Sequence, residues 1–415
     1  VFFEEKIHQI RRIYPDPNQI KEAANKLKNS KQPIIISGGG VLYSEAEQTL
    51  SNFAKKHNIP VTSTVMGIGC MTKDDPYYIS AIGALGEGSS NNLSKDTDLA
   101  LAVGTKLADF TTGSWANFEN PNFKLISVNT ARYDTTKHLA TPVISDAKVG
   151  LLQLSEALGD WRAPDTWYQR AIKERDEWEA YVAKQSGPTN QEEPSYAHAV
   201  GAIYRNSDPS DIVVTAAGGL VGEVVQVWKP KELNTFETEW GFSCMGYEIS
   251  GALGIKMAKP DQDVVVFVGD GSYLLNNSDI YSSVIYDQKL IIIICDNGGH
   301  MVINRLQLAK GGKEYICNLR AARATNLKFV DFENHAKSMG ANAETVSSTS
   351  ELEAAFKRAK ESDKTYVIAI KTHGYEWLDG TAFWESPTLQ DPITEENKKA
   401  LDDFESGKSK QRKGV

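Results

Sequence analysis

Short apolar runs recur along this chain, and each ends in glycine or a small polar residue. In the first third, "PIIISGGG" (33–40), "IPVTSTV" (59–65), "DLALAVGT" (98–105) and "KLISVN" (124–129) have the length and content of buried strands. Between the first two, "SEAEQTLSNFAKKHN" (44–58) repeats its apolar positions at helical spacing. Strand–helix–strand alternation predicts a parallel sheet covered by helices. "WYQRAIKERDEWEAYVAKQS" (167–186) is a charged helix without strand signals, and the turn-rich "GPTNQEEPS" follows it. A second series then begins: "DIVVTAAGGL" (211–220), "DVVVFVGDGS" (263–272), "LIIIICDNGG" (290–299) and "YVIAIKTHG" (366–374). The predicted fold class is α/β, with two doubly wound parallel-sheet domains. The predicted boundaries are a central domain at 19–160, a helical linker at 161–193, a second domain at 194–385 and a polar tail at 386–415.

Composition narrows the function classes. The 415 residues hold 41% hydrophobic and 24% charged positions, with net charge −9. Length allows two cores. An acidic balance argues against nucleic acid or an anionic membrane as partner. The basic end "KSKQRKGV" reads as a solvated, frayed tail. Cys70, Cys244, Cys295 and Cys317 form no CxxC pair, so free thiols in a reducing compartment are expected rather than zinc. With no run of about 18 apolar residues and no leader, the expected location is cytoplasmic. Phe2, Phe3, Ile7 and Ile10 look like part of an apolar helix face at the very start. Residues 1–18 therefore read as the end of a linker, with a domain expected before them.

In open parallel sheets, ligands bind beyond the carboxyl ends of the strands. Three special turns fall there in the second series: "AAGG" (216–219), "GDGS" (269–272) and "DNGGH" (296–300). Gly218, Gly219, Gly269, Gly271 and Gly299 let backbone N–H groups approach a ligand. A helix starting near Ser272 adds N–H groups suited to phosphate. Asp270 and Asn297 offer hard oxygen ligands of the kind Mg²⁺ takes beside phosphate. A diphosphate held through Mg²⁺ satisfies all of these features.

Asn297 follows Asp270 by 27 positions. GDG with Asn at this distance, each after an apolar strand, resembles the fingerprint of thiamine-diphosphate-dependent enzymes. Asp296 stands where an Asn-Asn pair is usual, while the metal-binding Asn is intact. "GFSCMGYEISGALGIKMA" (241–258) resembles the family's Met-Gly segment. The resemblance sets Cys244 and Met245 against the cofactor, Met245 as the wedge beneath it, and makes the Gly299 carbonyl a third metal ligand. Ser243 replaces a Gly whose backbone carbonyl serves the aminopyrimidine. The first series resembles the family's central domain. Gly38–Gly40 is not GxGxxG, and a structural turn is the preferred reading over a nucleotide site. The family also has an N-terminal pyrimidine-binding domain, whose glutamate activates the cofactor and which this chain lacks.

Three stretches point to one branch of the family, which opens polyhydroxylated cyclohexane-1,2-diones by hydrolysis in inositol catabolism. They are "EWGFSCMGYEISGALGIKMA", "DNGGHMVINRLQ" and the aromatic "KTHGYEWLDGTAFWE" (371–385). His300 is the candidate catalytic side chain, with a structural role as the alternative. Asn304, Arg305 and Tyr375–Trp384 are candidates for the dione's oxygens. His373 reads as structural, and Arg320 as an ion pair or a polyol ligand. The resemblance implies a homodimer or homotetramer. An acetolactate-synthase-like carboligase and an inactive cofactor-binding fragment remain alternatives.

Overall fold

The computed structural model describes residues 4, 6–7, 9–322, 326 and 329–412. Two sheets organise them, each six-stranded and parallel throughout. The first contains β1 (Pro33–Ser37), β2 (Val61–Ser63), β3 (Tyr78–Ala81), β4 (Leu99–Val103), β5 (Lys124–Asn129) and β6 (Thr141–Ile144). The second contains β7 (Ile212–Thr215), β8 (Phe236–Thr238), β9 (Val264–Gly269), β10 (Ile291–Asp296), β11 (Asn342–Val346) and β12 (Tyr366–Lys371). Their orders are β3-β2-β1-β4-β5-β6 and β11-β12-β10-β9-β7-β8.

The continuous apolar runs are explained by burial on both faces. Ile291, Ile293 and Cys295 of β10 enter one core with Val265 and Phe267. Ile292 and Ile294 point the other way, with Val264, Val266 and Val268. Successive side chains of a strand alternate faces, so a strand between two helical layers is apolar at every position. Each such side chain contributes about 1.5–3 kcal/mol by leaving water. All eight expected strands are present. The four others, β3, β6, β8 and β11, are the outer strands of the two sheets.

The predicted linker is a single helix, Asp165–Gln185. It belongs to both cores. Trp167 and Ala171 pack beneath the first sheet, and Trp167 Nε1 donates to the Pro33 carbonyl at 2.8 Å. Val182 and Trp178 pack into the second domain. The buried Glu87 of the first domain also pairs with Lys229 of the second.

Two expectations about the chain ends are corrected. Ile7 and Ile10 lie in irregular, exposed chain, and the first helix is Pro17–Lys28; Phe2 and Phe3 lie outside the described residues. The tail is not frayed through Arg412, while 413–415 lie outside the described residues. Residues Glu395–Ser409 form a helix capped by Thr394, with Ala400 and Phe404 buried. Its aromatic partner is Phe383. Beyond it, Gln411 Nε2 donates to the Ser114 carbonyl at 2.9 Å, and the Arg412 guanidinium lies 4.5 Å over Phe123. The basic end has aromatic and carbonyl partners on the first domain, which a sequence window does not reveal.

The amino ends of the second sheet hold a charge cluster. Lys360 Nζ lies 2.8 Å from Asp208, 2.6 Å from Asp211 and 2.9 Å from Asp263. Lys289 reaches Asp263 at 3.1 Å. Burial opposes the Lys360 charge, but the three carboxylates outweigh it and hold its pKa above the ordinary lysine value.

Candidate functional site

Strand order reverses between β7 and β9, which opens a crevice at their carboxyl ends. The "AAGG", "GDGS" and "DNGGH" turns meet there. A cleft of about 810 Å³ is lined by Gly218, Gly219, Met245, Gly269, Asp270, Gly271, Ser272, Gly299 and His300, among others. Side chains from the first domain and from the 381–404 segment complete its walls.

Asp270 begins the short helix Asp270–Leu275 and is buried. Burial and the neighbouring Asp296 push its carboxyl up to about 7, against N–H donation from Gly271 and Gly299. The Asp270 and Asp296 carboxyls are hydrogen-bonded neighbours. Two acidic groups this close in a dry site favour a shared proton or a cation. Asn297, at the end of the adjacent strand β10, lines a smaller adjoining cavity. Its amide nitrogen donates to Tyr196 Oη at 2.7 Å, while its Oδ1 is buried without a partner among the described residues. An unpaired buried acceptor is costly, and a bound ion removes that cost.

Backbone geometry explains the glycines. Gly299 has φ +143°, and a Cβ there would lie 2.2 Å from the Cys317 carbonyl oxygen. A Cβ on Gly271 would lie 2.7 Å from the His300 ring and 3.5 Å from Met245 Cε. The GDGS turn thus runs directly beneath His300 and Met245. By contrast, Cβ atoms on Gly38 and Gly40 would meet Gly104 at 2.5 and 2.6 Å. Those glycines admit the chain's own backbone between β1 and β4.

A buried carboxylate that pattern reading assigns no role holds the three loops together. Glu248 accepts N–H bonds from Ala217 at 3.2 Å and Gly246 at 2.8 Å, and it also bonds Ser272. Burial raises its pKa. Glu239 organises the loop before Met245 by accepting from Phe242 N at 2.9 Å and Cys244 N at 2.8 Å. Burial pushes its carboxyl up, yet these donors hold it below the usual range.

Matches to known proteins agree with this geometry. Residues 20–154 match the model described as thiamine pyrophosphate enzyme, central domain. Residues 216–370 match thiamine pyrophosphate enzyme, C-terminal TPP binding domain. The chain belongs to the thiamine pyrophosphate enzyme family. It is 33% identical to the 3D-(3,5/4)-trihydroxycyclohexane-1,2-dione hydrolase of Halalkalibacterium halodurans, over 91% of this chain and 63% of that protein. Proteins of the same name from Geobacillus thermodenitrificans and Lacticaseibacillus casei are 32% and 31% identical. These matches cover 92% and 98% of this chain, and 65% and 67% of theirs. The chain thus spans about two thirds of the length of these relatives.

In this family member the other expected site residues divide. Arg305 lines the cleft, its guanidinium 4.9 Å over the Trp377 ring. Phe383 and Trp384 line it as well. Asn304 does not. It is fully buried, and its Nδ2 donates to Glu314 at 3.0 Å. One residue further round the helix Met301–Ala309 turns the side chain away from the cleft. Cys244 is exposed and contributes its N–H to Glu239 rather than its thiol to the cleft. His373 lines a separate cavity of about 80 Å³ beside Asp296 and Lys371, where its Nδ1 accepts from Tyr375 N at 3.2 Å. The Arg320 side chain lies outside the described residues. Among those residues no group of three His, Cys, Asp or Glu side chains is placed to hold a metal. Asp270 and Asn297 instead offer a carboxylate and an amide oxygen at the ends of the adjacent strands β9 and β10. No helix among the described residues is long and apolar enough to cross a membrane.

Proposed function

We propose that this chain carries the diphosphate-binding half of a thiamine-diphosphate- and Mg²⁺-dependent C–C hydrolase. Its substrate is a polyhydroxylated cyclohexane-1,2-dione, opened to 5-deoxyglucuronate in inositol catabolism. The observation that supports the cofactor reading is the Asn297 Oδ1, buried and unpaired among the described residues at the carboxyl end of β10, the strand next to β9 and its Asp270 turn. The names of the relatives support the substrate. Asp270 and Asn297 would hold the ion, with Gly299 as third ligand. Gly218, Gly219, Gly269, Gly271 and Ser272 would cradle the diphosphate, and Met245 would support the rings. When bound, the cofactor would supply a nucleophilic carbon for a carbonyl and a cationic ring as electron sink for the breaking C–C bond. His300, over the GDGS turn, would hold a proton near the reacting carbon. Arg305 offers a planar fork to paired oxygens of the substrate. Full-length protein with the cofactor and Mg²⁺ is expected to convert the trihydroxy dione to an open-chain acid. Acetolactate from pyruvate with no dione turnover would refute the hydrolase in favour of a carboligase.

The same reading supplies an assembly. Met257, Leu274, Leu275 and Ile285 are 49–64% exposed on three neighbouring short helices behind the GDGS turn. This apolar face is offered to a second copy, giving a homodimer or a homotetramer. Leu275→Glu is expected to shift full-length protein towards monomer in sedimentation velocity. Unmodified protein that sediments as a monomer at micromolar concentration while turning over substrate would exclude the assembly.

A further inference from the structure

We propose that Phe110, Trp240 and Trp384 form the platform that receives the C–H face of the substrate ring, so that the central domain helps to choose a cyclic over an open-chain substrate. The proposal rests on the reading above that the substrate is a polyhydroxylated cyclic dione.

The three rings come from distant segments. Phe110 follows β4 in the first domain, Trp240 precedes the Met245 loop, and Trp384 lies beyond β12. The Phe110 centroid is 5.0 Å from Trp384 and 5.6 Å from Trp240. All three are only partly buried and line the cleft that holds Met245, Asp270 and His300. Two of them are fixed to one hub. The Phe110 carbonyl accepts from Ala84 N at 2.6 Å, and the Gly83 carbonyl accepts from Ala382 N at 3.2 Å. Gly83 has φ +111°, and a Cβ there would lie 2.1 Å from the Phe110 oxygen, so only glycine fits this junction. Glu385 N donates to Ser114 Oγ at 2.8 Å, which anchors the far side of Trp384. The backbones that carry Phe110 and Trp384 are therefore joined to each other independently of any ligand.

A saturated ring bearing equatorial hydroxyls shows axial C–H bonds on its faces and oxygens at its rim. Aromatic faces carry negative charge density that attracts C–H groups, and stacking removes apolar surface from water. Arg305 stands on the same cleft as a donor for the rim, and its planar fork matches two oxygens that a ring holds side by side. A small open-chain dicarbonyl has no comparable face. The anionic diphosphate has no use for three aromatic rings, so the platform and the glycine cradle divide the cleft by chemistry.

The test compares full-length enzyme, loaded with thiamine diphosphate and Mg²⁺, on cyclohexane-1,2-dione and butane-2,3-dione. Phe110→Ala is expected to lower the ratio of kcat/KM for the cyclic to the open-chain dione about tenfold, mainly through KM. Phe110→Tyr is expected to retain most of that preference, and thiamine diphosphate affinity by calorimetry is expected to stay within about twofold in both. Trp384→Leu repeats the comparison on another segment if Phe110→Ala does not fold. An unchanged ratio overturns the platform. So does a loss of cofactor affinity, which would give the rings to the cofactor. If unmodified enzyme turns over neither of these nor the trihydroxy dione, the substrate reading has failed. Wherever the two simple diones go unconverted, the platform is judged by scyllo-inositol binding followed through tryptophan fluorescence. Weaker binding in Phe110→Ala supports it, and equal binding or none overturns it.

Discussion

Asp270→Ala is expected to weaken thiamine diphosphate binding in the presence of Mg²⁺ by about 3–5 kcal/mol, the usual consequence of removing one partner of a buried charge pair. That is a loss of two to three and a half orders of magnitude by the rule that about 1.4 kcal/mol is tenfold. Asp270 is the buried carboxylate at the centre of the crevice, between the GDGS turn and the Asn297 loop. The direction for the free protein is opposite. Burial and Asp296 already hold the Asp270 carboxyl at about 7. Removing it relieves a crowded pair, so the thermal midpoint of cofactor-free protein is expected to hold or rise. Calorimetry with the cofactor and Mg²⁺ reads the first effect, and a melting curve reads the second. Equal cofactor affinity in variant and parent would mean that the diphosphate sits elsewhere.

Lys360→Met should have the largest effect on stability. One ammonium sits among Asp208, Asp211 and Asp263 at the amino ends of β7 and β9. Its removal leaves Asp263 with Lys289, but leaves Asp211 and Asp208 facing each other without that cation. The expected loss is about 3 kcal/mol, at the lower end for a buried pair because Asp208 is largely exposed. A fall in the urea midpoint at constant slope measures it. Adding Asp208→Asn to the variant is expected to recover part of the loss, since it removes one repelling charge. A shift below about 1 kcal/mol would show the cluster to be no stronger than a surface ion pair.

Much of this was legible because buried strands must be apolar on both faces. β1, β4, β5, β7, β9, β10 and β12 carry that mark most fully, whereas the outer strands β6, β8 and β11 do not. In β11, "NAETV" leaves Asn342, Glu344 and Thr345 away from the core, and β8 is only "FET". A strand with one neighbour needs no continuous apolar run, so β6, β8 and β11 leave little trace in a window scan, while β3 ("YISA") is buried throughout but only four residues long. The site shows the same limit. GDGS and Asn297 are local and visible, whereas Tyr196, which orients Asn297, stands 101 positions away. Glu248 is adjacent to the Met245 segment in sequence, yet its role appears only when three loops converge on it. Arg305 and Asn304 are neighbours in sequence about 100° apart round one helix, and that step decides which meets the cleft.

The docked C-terminal segment has a mechanical consequence. The chain passes from the first domain to the second along the helix Asp165–Gln185, and it returns through residues 379–412 to Gly83, Ser114 and Phe123. A body held by one tether can swing like a door. A body tied at both of its ends, with Glu87 and Lys229 bolting the seam, behaves as a braced frame. Because residues of the returning segment also form one wall of the cleft, the bracing that ties the two domains together also fixes the width of the cleft's mouth.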